Sequence, residues 1–118
     1  MEKGDRDGAL EAYREALRVD PNYAAAHNNL AWMLAVGPDG VRDGKQAVAH
    51  ATRACELSGW ALPNCLDTLA AAYAAAGDFD RAVEYQQKAL SFPDFEKADG
   101  KGGRDRLRLY MQRKPYRQ

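Results

Sequence analysis

The chain predicts an all-α fold of antiparallel helix hairpins stacked side by side, and three observations carry that expectation. Alanine pairs seven residues apart occur three times, at Ala9/Ala16, Ala47/Ala54 and Ala82/Ala89. An aspartate stands four residues before the first alanine of every pair: Asp5, Asp43 and Asp78. The copies follow each other after 38 and then 35 residues, a period that belongs to stacked supersecondary units rather than to a single core. Small residues at i and i+7 let a neighbouring helix come close. An Asp just ahead of a helix accepts hydrogen bonds from its orphan N–H groups.

Stop signals then place each element. A first helix spans about Asp5 to Val19 and ends at Asp20-Pro21. The second begins near Asn22 or Tyr23, carries the stripe His27, Leu30, Ala31 and Leu34, and stops at Gly37-Pro38. A third, Asp43 to Leu57, is closed by Ser58-Gly59. Pro63-Asn64 opens the fourth, whose stripe is Leu66, Leu69, Ala70 and Tyr73 and whose end is Gly77. Asp78 caps the fifth, which runs through Leu90 before Pro93. Residues Ala98–Gly103 read as flexible because they hold Gly100, Gly102 and Gly103. A sixth helix, Arg104–Arg113, presents Leu107, Tyr110 and Met111 as a narrow apolar edge, suited to closing the open end of an array. Residues 114–118 form a tail.

The residues Leu69-Ala70, Tyr73, Gly77-Asp78-Phe79, Ala82 and Ala89 carry a family pattern, and the region Leu66–Leu90 resembles the tetratricopeptide repeat family most closely. The first copy keeps Gly4-Asp5, Ala9, Tyr13, Ala16-Leu17 and Pro21, but starts without its first helix. The middle copy departs more: His27 takes a usual large apolar position, Ala51 replaces an aromatic, and the turn Gly37–Lys45 is about four residues long for the family. In the third copy the aromatic is Tyr85, and Gln86 stands at the position the family gives to it. The resemblance implies a right-handed α-solenoid of about two and a half repeats plus a closing helix. Residues 4–21 would be a half repeat, 22–58 a repeat with a long turn, 63–93 a repeat and 104–113 the cap, all in one domain. Repeats of this style resemble those appended to bacterial signalling and scaffold proteins.

What the resemblance implies about function is a concave face, lined by the first helix of each hairpin, that binds a peptide or helix of a partner protein. Matched to the family pattern, the groove positions are Asn28, Asn29, Trp32 and Val36 on one helix and Asn64, Asp67, Thr68 and Ala71 on the next. An asparagine at position 29 can donate to and accept from a ligand backbone at once; ordinary solvated helix surface is the alternative for Asn28 and Asn29. Trp32 offers a large apolar face with a polar N–H, a common binding anchor. It could equally pack against the absent first helix or a symmetry partner. Family members that hold acidic chaperone tails use a basic clamp, and here Asn64 and Thr68 occupy its basic positions while Asp67 opposes an anion. A carboxylate-rich ligand would then meet no cation, so a neutral or mildly basic peptide is expected. A second expectation is self-association, with Ala9, Tyr13, Ala16 and Leu17 forming an apolar stripe that a second copy covers.

Other function classes find little support. The two His, two Ser and two Cys form no recognisable nucleophile–base motif, so no catalytic residue and no cofactor is expected. Lys101-Gly102-Gly103 is no phosphate loop. Asp39-Gly40 and Asp43-Gly44 lack the ligand series of a calcium loop, and no metal site is expected. Cys55 and Cys65 allow a disulfide, although small buried thiols in a reducing compartment explain them better. The longest apolar run, Leu69–Ala76, is too short for a bilayer. No leader-like opening points to export, and the expected location is the cytoplasm. The opening resembles a repeat cut mid-unit, as in a piece of a longer protein. Net charge is zero, yet residues 101–118 carry a balance of +6. That segment reads as a helix docking onto an acidic body; nucleic-acid contact through it, with Tyr110 and Tyr116, is the weaker alternative, because the preceding repeats would repel phosphates.

Overall fold

All three Asp-and-alanine copies fold as helices, and the stop signals end them where expected. The computed structural model describes residues 3–38 and 40–118, with α1 at Lys3–Val19, α2 at Ala24–Val36 and α3 at Gly44–Leu57. Then come α4 at Pro63–Ala75, α5 at Phe79–Leu90 and α6 at Pro93–Met111, with no strand among the described residues. α2 pairs with α3 and α4 with α5 as hairpins, and α3 packs on α4 to join them. α2 and α4 touch directly and form the inner layer, while α6 closes the array against α5 and α4. α1 packs on α2 alone among the described elements. None of these helices is long and apolar enough to cross a membrane.

The capping aspartates act as read in two copies. The Asp43 carboxylate accepts the Gln46 N–H at 3.1 Å, and the Asp78 carboxylate accepts that of Arg81 at 3.1 Å. Each such cap is worth about 1 kcal/mol. Asp5 is different. α1 already begins at Lys3, so Asp5 lies inside the helix and is not its cap. The alanine pairs of the second and third copies are fully buried, and these contacts bring the hairpins close. Gly44 shows how close: a Cβ there would lie 2.6 Å from the Ala76 backbone nitrogen. The long α2–α3 turn is held by its own backbone, with Val41 and Arg42 N–H donating to Pro38 O and Asp43 N–H to Leu34 O. Asp39 lies outside the described residues.

The sixth helix differs from its sequence reading. Two helical segments run between Pro93 and Met111, joined by a kink at Asp99 (φ −152°, ψ 39°), and residues 100–103 belong to the second of them instead of forming a flexible link. Packing overrides glycine's poor helix propensity. Gly103 is buried with its Cα side facing Phe95 and Leu90, and a Cβ would come within 2.7 Å of the Phe95 ring. Only glycine lets the helix lie down on those two side chains. The inward edge is Gly103, Arg106 and Tyr110, whereas Met111 is 62% exposed instead of closing the end.

His27 keeps its buried position by making polar contacts on both ring nitrogens. Its Nε2 lies 2.8 Å from Pro21 O and its Nδ1 lies 3.0 Å from His50 Nδ1, joining the α1–α2 turn, α2 and α3. A carbonyl only accepts, so His27 Nε2 carries hydrogen and, with both rings neutral, His50 Nδ1–H donates to His27 Nδ1. A second added proton would leave two donors facing each other. Burial, then the neighbouring His27 and Arg14, push the His50 pKa below its ordinary value.

Gly44→Ala should force α3 from the end of α4 and lower unfolding free energy by about 2 kcal/mol in urea titration. An unchanged midpoint would contradict the close approach. The folded state resists protonating His50, so below about pH 6.5 the unfolded chain binds more protons and stability falls. The melting temperature should therefore drop between about pH 7.5 and 5.5, and His50→Gln should flatten that slope.

Candidate functional site

Helical spacing puts Asn28, Asn29 and Trp32 on the same side of α2, and Asn64, Asp67 and Thr68 on the facing side of α4. Because α2 and α4 are neighbours, the six residues line one concave cavity of about 460 Å³. Tyr13 of α1 and the turn residues Pro38 and Val41 complete its far wall. Val36 is also at the cavity, buried, while Ala71 is buried in the core behind it. Asn29 is exposed, and Asn28 is half-buried with its Oδ1 shielded from solvent and without a hydrogen-bond partner.

Asp67 belongs to a buried polar network that the sequence reading missed. Arg106 of α6 reaches in and donates through Nε to Asp67 Oδ1 at 3.1 Å and through Nη2 to Asp99 Oδ2 at 2.8 Å. Asp67 also accepts Gln86 Nε2 at 2.9 Å, and the same amide donates to Gly103 O at 3.0 Å. Gln86 is fully buried. It stands where the family pattern has an aromatic ring, and it fastens α5 to both α4 and α6. Burial pushes the Asp67 pKa above the usual carboxylate value despite Arg106 and Gln86. Burial also works against the Arg106 charge, but the two aspartates outweigh it and hold the guanidinium above its ordinary value. Arg106 is itself buried and does not line the cavity, and two carboxylates match its charge.

Within the chain, Trp32 packs against the C-terminal residues. Its ring lies 5.9 Å from that of Tyr116 at a tilt of 43°, and the Arg106 guanidinium sits 5.9 Å from the Trp32 centroid and 5.5 Å from that of Tyr116. Gln118 N–H donates to Val36 O at 2.8 Å, at the C-terminal end of α2. Tyr116 and Gln118 therefore lie against α2, and Gln118 lines the cavity. The basic segment docks on acidic partners as expected, through Arg106 and through Arg113, which is 3.6 Å from Asp80.

Elsewhere, Ala9, Tyr13, Ala16 and Leu17 are each half-buried on α1, with Tyr13 and Leu17 packed against the core. Cys55 and Cys65 are free and buried. An outer aromatic ladder also escaped notice: Tyr85 stacks on Tyr73 at 5.6 Å and on Trp60 at 6.3 Å. Displacing the aromatic by one residue, from 86 to 85, moved it from core to surface.

Residues 1–33 match a family model described as TPR repeat, and residues 64–93 match one described as Tetratricopeptide repeat. The chain belongs to the tetratricopeptide repeat family. Residues 34–63, between the two matches, hold the long turn and the alanine-for-aromatic change at Ala51. No curated protein matches the chain. Repeats of this family generally mediate protein–protein interaction.

Asp67→Asn keeps the shape of the groove floor but removes the charge opposite Arg106. It should cost about 3 kcal/mol of unfolding free energy, read by denaturant titration. A loss below about 1 kcal/mol would mean that water already compensates the pair.

Proposed function

We propose that the chain is a non-enzymatic interaction module that binds a peptide or helix of a partner protein in the cavity between α2 and α4. The observation that supports this is convergence: Asn28, Asn29, Trp32, Asn64, Asp67 and Thr68 line one concavity. Amides along its edge can pair with a ligand backbone in either sense, and Trp32 gives an apolar surface beside them. The internal match of Arg106 by Asp67 and Asp99 favours a neutral or mildly basic ligand over an acidic one. The groove has the volume of a pocket for a few side chains, not for a whole domain.

A peptide array probed with the full chain tests this reading. Asn29→Ala, at an exposed position, should weaken any selected peptide, and Trp32→Ala should weaken it by at least about tenfold. Circular dichroism should stay unchanged for Asn29→Ala. Peptide affinity indifferent to both changes would place binding elsewhere.

A second reading, pairing of two copies, draws on α1 packing against α2 alone. Light scattering across a concentration series should then show a dimer that Tyr13→Glu abolishes. A monomer at every concentration would remove it.

A further inference from the structure

We propose that the Trp32 subsite selects an aromatic residue of the partner, and that Tyr116 fills this subsite in cis as a stand-in for it. This deepens the groove reading and rests on it. Three contacts define what the subsite accepts. Trp32 presents its ring at 5.9 Å to the Tyr116 ring. Arg106 lies 5.5 Å from the same ring, so the aromatic guest is held against an indole on one side and a cation on another. Two residues further on, the Gln118 N–H meets Val36 O at 2.8 Å. A partner segment with the same chemistry carries Tyr or Phe, followed two residues later by a free backbone N–H.

Arg106 is fixed before any guest arrives, because Asp67 and Asp99 hold it. The aromatic seat is therefore preorganised, and little ordering is needed on binding. Gln118 also borders the remaining cavity. A guest running in the direction of the tail would continue past that point along Asn28 and Asn29. A tail tethered next to its own site acts at an effective concentration in the millimolar range. A partner segment must outcompete it, so the tail sets a threshold for binding.

The test uses the full chain, wild type and Tyr116→Ala, with a capped peptide copying residues 113–118 as probe. The indole N–H resonance of Trp32 reports the subsite, and that of Trp60, on the outer ladder, serves as control. In Tyr116→Ala the peptide should shift the Trp32 resonance saturably and leave Trp60 in place. Wild type should need about tenfold more peptide for the same shift. A peptide with alanine in place of its tyrosine should do nothing. Equal response of the two proteins, or no Trp32 shift in a Tyr116→Ala protein that is folded by circular dichroism, would overturn the proposal. If that variant still captures array peptides through Trp32 while ignoring the tail copy, the groove reading stands and this one fails. Loss of both would end both.

Discussion

The ion pair between Asp67 and Arg106 is the contact on which the concave face depends. It joins α4 to α6 across 39 residues of sequence, with both side chains almost wholly buried. A buried pair of this kind gains little net stability over an apolar contact of the same size, because both charges lose their water. Its effect is positional. With Gln86 and Asp99 it fixes the guanidinium at one place and angle, and that guanidinium is what Trp32 and Tyr116 gather around. Without it α6 would still bury Phe95 and Tyr110, and Tyr116 would keep Trp32 but lose the cation beside it.

The repeat architecture was legible because its determinants are local. Asp43 and Asp78 cap the turns that directly follow them, and Pro21, Pro63 and Gly77 punctuate the chain where helices change. The six groove residues converge for the same reason: helical periodicity fixes which side chains share a face, and the alanine contacts fix which faces meet. The remainder was hidden because its causes are distant in sequence. Three glycines in 100–103 argue for a loop, and the close approach of Gly103 to Phe95 and Leu90 is a contact no local pattern announces. Asp5 misled because a helix can start earlier than its first good cap.

Arg106 and Tyr116 left fainter traces. The +6 balance of the last 18 residues indicated docking on an acidic body without naming the residues. The stronger trace was Gln86. A polar residue at a position that the family fills with an aromatic needs a buried partner, and the candidates for one are few. Gln86 reaches Asp67, so this acidic residue at the cavity is also part of the packing between α4, α5 and α6.

The trough we propose as a binding site has amides along its edge, Trp32 beside them and an Asp67 already matched by Arg106. Such a surface rewards backbone hydrogen bonding and ring packing more than ionic attraction. Its tail contact makes the free protein partly self-satisfied. The outer ladder of Trp60, Tyr85 and Tyr73 lies apart from this trough, on α5 and the α3–α4 turn, and its rings stack on each other.

The most direct measurement is a nuclear Overhauser experiment on the free protein, read between the Trp32 indole and the Tyr116 ring protons. The account predicts cross-peaks between the two rings in the wild-type chain at neutral pH. Sharp, random-coil signals for residues 114–118 with no contact to Trp32 would contradict it.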